Sequence, residues 1–338
     1  MEIKICKEEK GLNCSFIPVL ARENYLKVKS VEYGWFDSQY YYMPFYIDQR
    51  FVFRRLVLPF GPIARFYKHA GNGEEEFFNC VLEFMKSHKS ILKCDYLSQP
   101  QSNVVLPYIP KYGTVIPWGS YTIDLTRSDE EIFTSFHTKH KNVIRKAAKE
   151  GVIIECNGDY EAVWRNVSDT LHRQKVYPPQ FSYYEQLAKN IPDNVAFYVA
   201  KLNGVIQGSA VVIYDQEIAY YMYGGSSPNP FTGSVNLLQY EIMKDMKLKG
   251  VKVYDMVGAR IIYNENSKFA GIQRFKSRFS SDFKRGYILR MIFSPLKYRL
   301  FLLCVKLYGK LHGFNYSDSI DDTLTLMKER NLSIDTFR

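Results

Sequence analysis

The chain has 338 residues, enough for two domains of about 150 residues each. Hydrophobic residues make up 46% and charged residues 24%, so both halves can bury a core, which excludes a largely disordered chain and a coiled coil. The net charge of +10 is local: residues 268–310 carry eleven basic side chains against one acid, Asp282, while the rest of the chain is neutral. That imbalance points to an anionic partner at this segment, such as phosphate groups, nucleic acid or an anionic membrane face, with solvated helix and strand faces as the plainer alternative.

The longest uncharged apolar stretch near the C-terminus is 300–305, far short of the roughly 20 residues needed to span a bilayer. The first residues, MEIKICKEEKGLNC, place acids and lysines where a secretion signal is apolar. A cytoplasmic protein is expected, with peripheral contact at the inner membrane face left open. The six cysteines form no CxxC pair and no zinc-spaced cluster with histidine, so they read as buried thiols and no metal site is expected.

In the first third, two aromatic and β-branched runs, 40–47 and 51–58, flank Asp48-Gln49-Arg50 and predict a hairpin. Pro59-Phe60-Gly61-Pro62 follows as a rigid turn, then 74–88 repeats apolar residues at helical spacing. Prolines 100, 107, 110 and 117 mark the junction between halves.

The second half opens on a strand at 121–125 and one long helix. Ser128 with Glu131 forms a capping box, and Gly151 closes the far end. Helices are expected at 160–174 and 182–190. Strands at 195–202 and 205–214 flank Asn203-Gly204, a strong hairpin signal, and a third strand at 217–223 runs into a loop, Gly224 to Pro230. A helix at 234–249 and a strand at 251–256 complete the unit. Strand, helices, three-strand meander, loop, helix, strand is the element order of a GNAT-type N-acyltransferase domain. The first half repeats it more loosely, as hairpin, turn and helix.

Several segments resemble the FemABX family, the tRNA-dependent enzymes that build peptidoglycan cross-bridges. They are Tyr121-Thr-Ile-Asp-Leu-Thr-Arg-Ser-Asp-Glu-Glu with Phe136-His-Thr-Lys-His-Lys-Asn-Val-Ile-Arg-Lys, Tyr220-Tyr-Met-Tyr-Gly-Gly-Ser-Ser, Tyr254-Asp-Met-Val-Gly258, Gly271-Ile-Gln-Arg-Phe-Lys-Ser-Arg-Phe279 and the Pro59 to Pro62 turn. The resemblance implies the α/β (α+β) class, with two GNAT-like domains of mixed, largely antiparallel sheets flanked by helices. The first would span 1–117, with the C-terminal tail as a candidate to complete it, and the second 118–290. Residues 291–338 would form a basic amphipathic helix and tail. The long coiled-coil arm of some family members has no counterpart here.

The resemblance also implies transfer of an aminoacyl group from aminoacyl-tRNA to an amine of a phosphorylated sugar-peptide cell-wall precursor, with no cofactor. The family's phenylalanine–lysine pair falls on Phe275 and Lys276, making Lys276 the expected catalytic residue. Acyl transfer to an amine passes through a tetrahedral oxyanion, which a fixed ammonium can stabilise. Read as a strand, 275–279 would put Lys276 and Arg278 on one side. Tyr221 and Tyr223, two apart on one strand face, are expected to orient substrate. Lys141, Arg145 and Lys149 form a basic helical stripe. Lys141, Arg145, Arg173 and Arg260 are candidate phosphate ligands, the last two expected in loops.

The arginine- or glutamine-led glycine signature of coenzyme A-dependent GNAT enzymes is missing before the 234–249 helix. The nearest match, Lys68 to Gly73, precedes three glutamates that would repel a pyrophosphate. A coenzyme A-dependent N-acyltransferase acting on an amino sugar of a surface polysaccharide is the alternative enzyme, and a non-catalytic module binding tRNA or anionic lipid the alternative class. In 295–313, Leu296, Leu300, Leu303 and Leu307 form an apolar stripe and Arg299, Lys306 and Lys310 a basic one, a pattern suited to an anionic membrane surface or to packing on its own domain.

Overall fold

The structure, a computed structural model, describes residues 1–14, 16–66, 71, 73–88, 92–98, 100–156, 158–279 and 282–337. Most of the glycine-bearing match at 68–73 therefore lies outside the described residues. The first half contains β1 (Lys4–Cys6), α1 (Glu23–Lys29), β2 (Tyr33–Asp37), β3 (Tyr41–Arg50), β4 (Phe53–Val57), β5 (Ile63–Ala64), α2 (Glu74–Ser87) and β6 (Tyr96–Leu97). After it come β7 (Thr114–Asp124), α3 (Asp129–Ser135), α4 (Thr138–Lys149), β8 (Ile153–Glu155), α5 (Tyr160–Arg173) and α6 (Phe181–Asn190). The meander β9 (Val195–Leu202), β10 (Val205–Tyr214) and β11 (Ile218–Ser226) leads to α7 (Ser234–Leu248), β12 (Val253–Asp255) and β13 (Ala259–Arg260). The chain ends in α8 (Lys268–Ser277), β14 (Phe283–Ile292), α9 (Pro295–His312) and α10 (Ser319–Glu329).

The main strands lie in one mixed sheet of order β1-β2-β3-β4-β6-β14-β7-β12-β11-β10-β9-β8. Each half builds the same unit. The antiparallel meander β2-β3-β4 is followed by α2 and then β6, parallel to β4. The meander β9-β10-β11 is followed by α7 and then β12, parallel to β11. This is the tandem GNAT-like α/β architecture. The halves share a backbone ladder, because β14 pairs with β6 on one side and β7 on the other. Strand β7 runs straight through the boundary expected at 117/118.

Three expectations change. The hairpin turn is Phe51-Val52, with Phe51 at φ 54°, and Asp48 to Arg50 stay in β3 because Arg55 pairs with Asp48 across the ladder. The helix opened by the Ser128 capping box stops at Ser135. Phe136 and His137 turn extended, His137 Nδ1 accepts from Lys139 N to start α4, and His137 N donates to Arg278 O. That tertiary bond outweighs the continuous helical pattern. Of the six cysteines expected to be buried, Cys94 is; Cys6, Cys14 and Cys80 are half-buried, and Cys156 and Cys304 are exposed.

The sheet separates the core of the second half into two. One face packs Ala210, Val212, Ala219 and Tyr254 against α4 and α7. The other packs Val211, Ile213 and Tyr220 against α5 and α6, and also against Tyr25, Leu26, Tyr42 and Tyr46 of the first half. The start of α7 touches α4 backbone to backbone: Gly233, at φ 94°, would carry a Cβ 2.1 Å from Val143 O. Both the left-handed backbone and the contact exclude a side chain there. Gly233→Ala is expected to lower unfolding stability by about 2–4 kcal/mol, measured by urea denaturation, with Gly204→Ala, which meets open space, costing clearly less.

Candidate active site

The site forms where the β11–β12 ladder ends. Pairing covers only Ile218 to Tyr220 against Val253 to Asp255. Beyond that, β11 continues to Ser226 on β10 alone, while the chain after β12 turns away through Val257 (φ 52°) and Gly258 (φ 69°) into β13. The strands part, leaving an opening bounded by 221–226 on one side and 256–258 on the other.

Asp255 holds this turn. Its buried carboxylate accepts from Ser120 Oγ and, at 2.7 Å, from Val257 N. Burial raises its pKa, against the pull of those two hydrogen bonds and of the Lys284 and Lys276 charges.

Lys276 lies on helix α8, not on a strand. Ala270 and Gln273, at helical spacing, are the buried positions of α8, and they prevail over the two-residue alternation of Phe275, Ser277 and Phe279. Phe275 and Phe279 pack on the imidazole of His140, itself buried and held neutral with its pKa down at about 4, chiefly by burial. This packing aims Lys276 inward. Its Nζ donates to Val257 O and, at 2.8 Å, to Gly258 O. Burial lowers its pKa to about 8, while the Asp255 charge opposes the shift. An ammonium has three N–H bonds. Two end on these carbonyls, which leaves a third donor for a ligand.

Tyr221 shares a face with Phe275, in the core against α4 and α7. Its hydroxyl folds back over Gly224, where a Cβ would lie 1.7 Å from it, and burial pushes its pKa up to about 12. Tyr223 does not share that face. A bulge at Met222 sets Val212 opposite Tyr221 and Val211 opposite Tyr223, flipping Tyr223 to the other side of the sheet. The two tyrosines therefore flank opposite mouths of the opening.

The mouth beside Tyr223 holds residues that the sequence reading did not single out. Tyr223 meets the rings of Tyr183 and Tyr184. Lys29, from α1, donates to Tyr183 Oη at 3.1 Å and lies 4.3 Å from its ring centroid. Burial, then repulsion from Arg55, lowers the Lys29 pKa to about 8. Tyr25 donates to Gln101 Oε1 at 2.9 Å, whereas Gln101 Nε2 and Tyr184 Oη are buried without a partner. Buried polar atoms left unpaired near a half-buried ammonium suit a polar, anionic ligand. Nothing in local sequence marks Lys29, because its neighbours come from α6 and β11, far along the chain.

The remaining candidates are occupied elsewhere. Lys141 Nζ caps Thr134 O at 3.0 Å, and the Arg145 guanidinium sits 5.1 Å from the Phe133 ring centroid, so both brace α3 against α4. Arg173 ends a helix instead of lying in a loop, and clamps Ser226 O together with Thr170. Arg260 is in β13, pairs with Asp322 at 3.0 Å and covers the Phe269 ring. Of the loop expected at Gly224 to Pro230, Gly224 to Ser226 is strand, with Ser226 N and Ser227 N bonded to Thr170 Oγ1 and Gln207 O. Two cavities of about 580 and 1080 Å³ lie in the first half, around Glu9 to Lys27 and Met1 to Glu76, and are lined by none of these groups.

A doubled meander-helix-strand unit, with a split between its parallel strands, is the architecture of an N-acyltransferase of the GNAT class. The acetyltransferase (GNAT) domain family model matches residues 134–316, and the chain belongs to that family. Within it the chain is similar to the FemABX enzymes. The lipid II:glycine glycyltransferase of Staphylococcus haemolyticus (strain JCSC1435) is 21% identical over 307 residues, covering 68% of this chain and 69% of that one. The crystal structure of FemX superposes with a TM-score of 0.64 at 13% identity, over 89% of this chain and 99% of that one. L-PGS from Bacillus licheniformis matches at a TM-score of 0.50 and 14% identity, over 82% and 90% of the two chains.

The buried ammonium can be read directly. Competitive acetylation of Lys276, followed by peptide mass spectrometry, is expected to titrate with a midpoint of about 8 rather than at the 10.5 of an ordinary lysine. The protonated form is then complete below that pH and lost as pH rises through it.

Proposed function

We propose that the protein transfers an aminoacyl group to an amine of a peptidoglycan precursor, with aminoacyl-tRNA as donor. The observation that carries this reading is the Lys276 ammonium, fixed by Val257 O and Gly258 O at the turn where β11 and β12 part. The neutral acceptor amine attacks the ester carbonyl, a C–N bond forms, and the carbonyl oxygen turns anionic beside Lys276. Collapse breaks the ester C–O bond, and the ribose oxygen leaves with the proton released by the amine nitrogen. A donor fixed at the oxyanion is worth about 3–4 kcal/mol, about 10²–10³ in rate.

The choice of donor draws support from the start of α7, where Gly233 abuts Val143. The first turn of that helix is packed against protein, which leaves its N–H groups poorly placed for a pyrophosphate. The acceptor reading draws support from the lipid II relative and from the Lys29 mouth, whose ammonium and unpaired Tyr184 and Gln101 groups suit a phosphorylated sugar.

The test is to incubate the protein with charged tRNA or with acetyl-coenzyme A, offering nucleotide-linked and lipid-linked precursors, and to weigh the acceptor by mass spectrometry. An added aminoacyl mass with charged tRNA alone is expected. An acetyl mass would overturn the donor. Lys276→Ala is expected to lower kcat by about 10²–10³ with circular dichroism unchanged. Lys29→Met is expected to raise the acceptor KM by about tenfold with kcat nearly kept, as for loss of one hydrogen bond to a charged group.

A further inference from the structure

Helix α9 is mounted with its leucines outward. Tyr298, Phe301, Leu302 and Val305 pack on Phe53 and Tyr96, fixing the helix to β4 and β6. Lys297 ties its first turn to Asp95 at 3.0 Å. Its far end is held by a ring contact between Tyr308 and Tyr177, and just beyond it Asn315 N donates to Lys175 O, in the connection that follows α5. Leu296, Leu300, Leu303, Leu307 and Leu311 are each 50–82% exposed, although a stripe at this spacing ordinarily packs on its own domain.

At 100° per residue these five leucines fall within about 80° of arc, opposite the buried face. Arg299, Lys306 and Lys310 form a row along one edge of the stripe, all exposed, and the helix has no acid. No described helix is long and apolar enough to cross a membrane. A nucleic acid would be met by cations at the centre of the contact, with apolar groups aside. Here the leucines hold the centre and the cations the border. That order suits acyl chains below and anionic headgroups beside them.

We infer that the Leu296–Leu311 face of α9 docks on an anionic lipid bilayer, with the helix lying in the interface and its cationic row on the headgroups. The helix bridges strands of the first half and the segment after α5, so docking would hold the whole body of the protein at the membrane. This goes beyond the transfer reaction and does not depend on it.

The test is flotation of the full chain with phosphatidylcholine vesicles, with and without phosphatidylglycerol. Binding is expected on the anionic vesicles, weaker on the neutral ones and reduced by salt. Leu300→Gln with Leu307→Gln is expected to cut binding by about tenfold or more, with circular dichroism unchanged because both side chains are exposed. Arg299→Gln, Lys306→Gln and Lys310→Gln together are expected to remove the preference for phosphatidylglycerol. No binding to anionic vesicles, or binding indifferent to the leucine pair, would overturn the inference. So would a dimer in sedimentation that the leucine pair abolishes, or tRNA binding that needs those leucines. Binding is read without turnover, so failure here leaves the transfer chemistry standing.

Discussion

An ammonium resting on two main-chain carbonyls ties together the turn at which the sheet parts. The carbonyls of Val257 and Gly258 converge because both residues adopt left-handed backbone angles, φ 52° and 69°. For a β-branched valine such a conformation costs on the order of 1–3 kcal/mol. Hydrogen bonds on either side of the peptide unit sustain it: Asp255 accepts from Val257 N, and Lys276 donates to the carbonyls. Strained turn, buried acid and buried lysine thus depend on one another. Helix α8, the Phe275–His140–Phe279 aromatic stack and the meeting of α4 with α8 all serve to bring one side chain to that turn.

The sheet also acts as a partition. Because the β11–β12 ladder stops after three residue pairs, the partition has a gap, and the bulge at Met222 assigns one tyrosine to each side. On one side stands Tyr221, and on the other Tyr183, Tyr184 and Tyr223, with Lys29 beside Tyr183. Burial disfavours the charge of both Lys276 and Lys29.

Much of the second half was legible in local sequence. The Asn203-Gly204 hairpin, the Ser128 capping box and the amphipathic faces of α5 and α7 are encoded within a few residues of where they act. The family resemblance singled out Phe275-Lys276 but not the helix that carries it, since five residues can satisfy a two-residue and a helical period at once. What could not be read depends on partners distant in the chain. The Met222 bulge is set by pairing with β10, the break at Phe136 by Arg278, and the fates of Arg173 and Arg260 by Ser226 and Asp322. Arginine in a loop-like stretch looks like a ligand for phosphate until the carbonyl or carboxylate that occupies it is known. Lys29 was silent for the same reason, because burial of a lysine is a property of the assembled halves.

Strand β14 shares one ladder with β6 and another with β7, so the boundary between halves is crossed by main-chain hydrogen bonds rather than by a linker. A clamshell motion would have to shear those bonds, as no swivel point interrupts them. Traffic into and out of the molecule must then rely on small rearrangements of side chains and surface turns, with the scaffold itself standing still throughout a catalytic cycle.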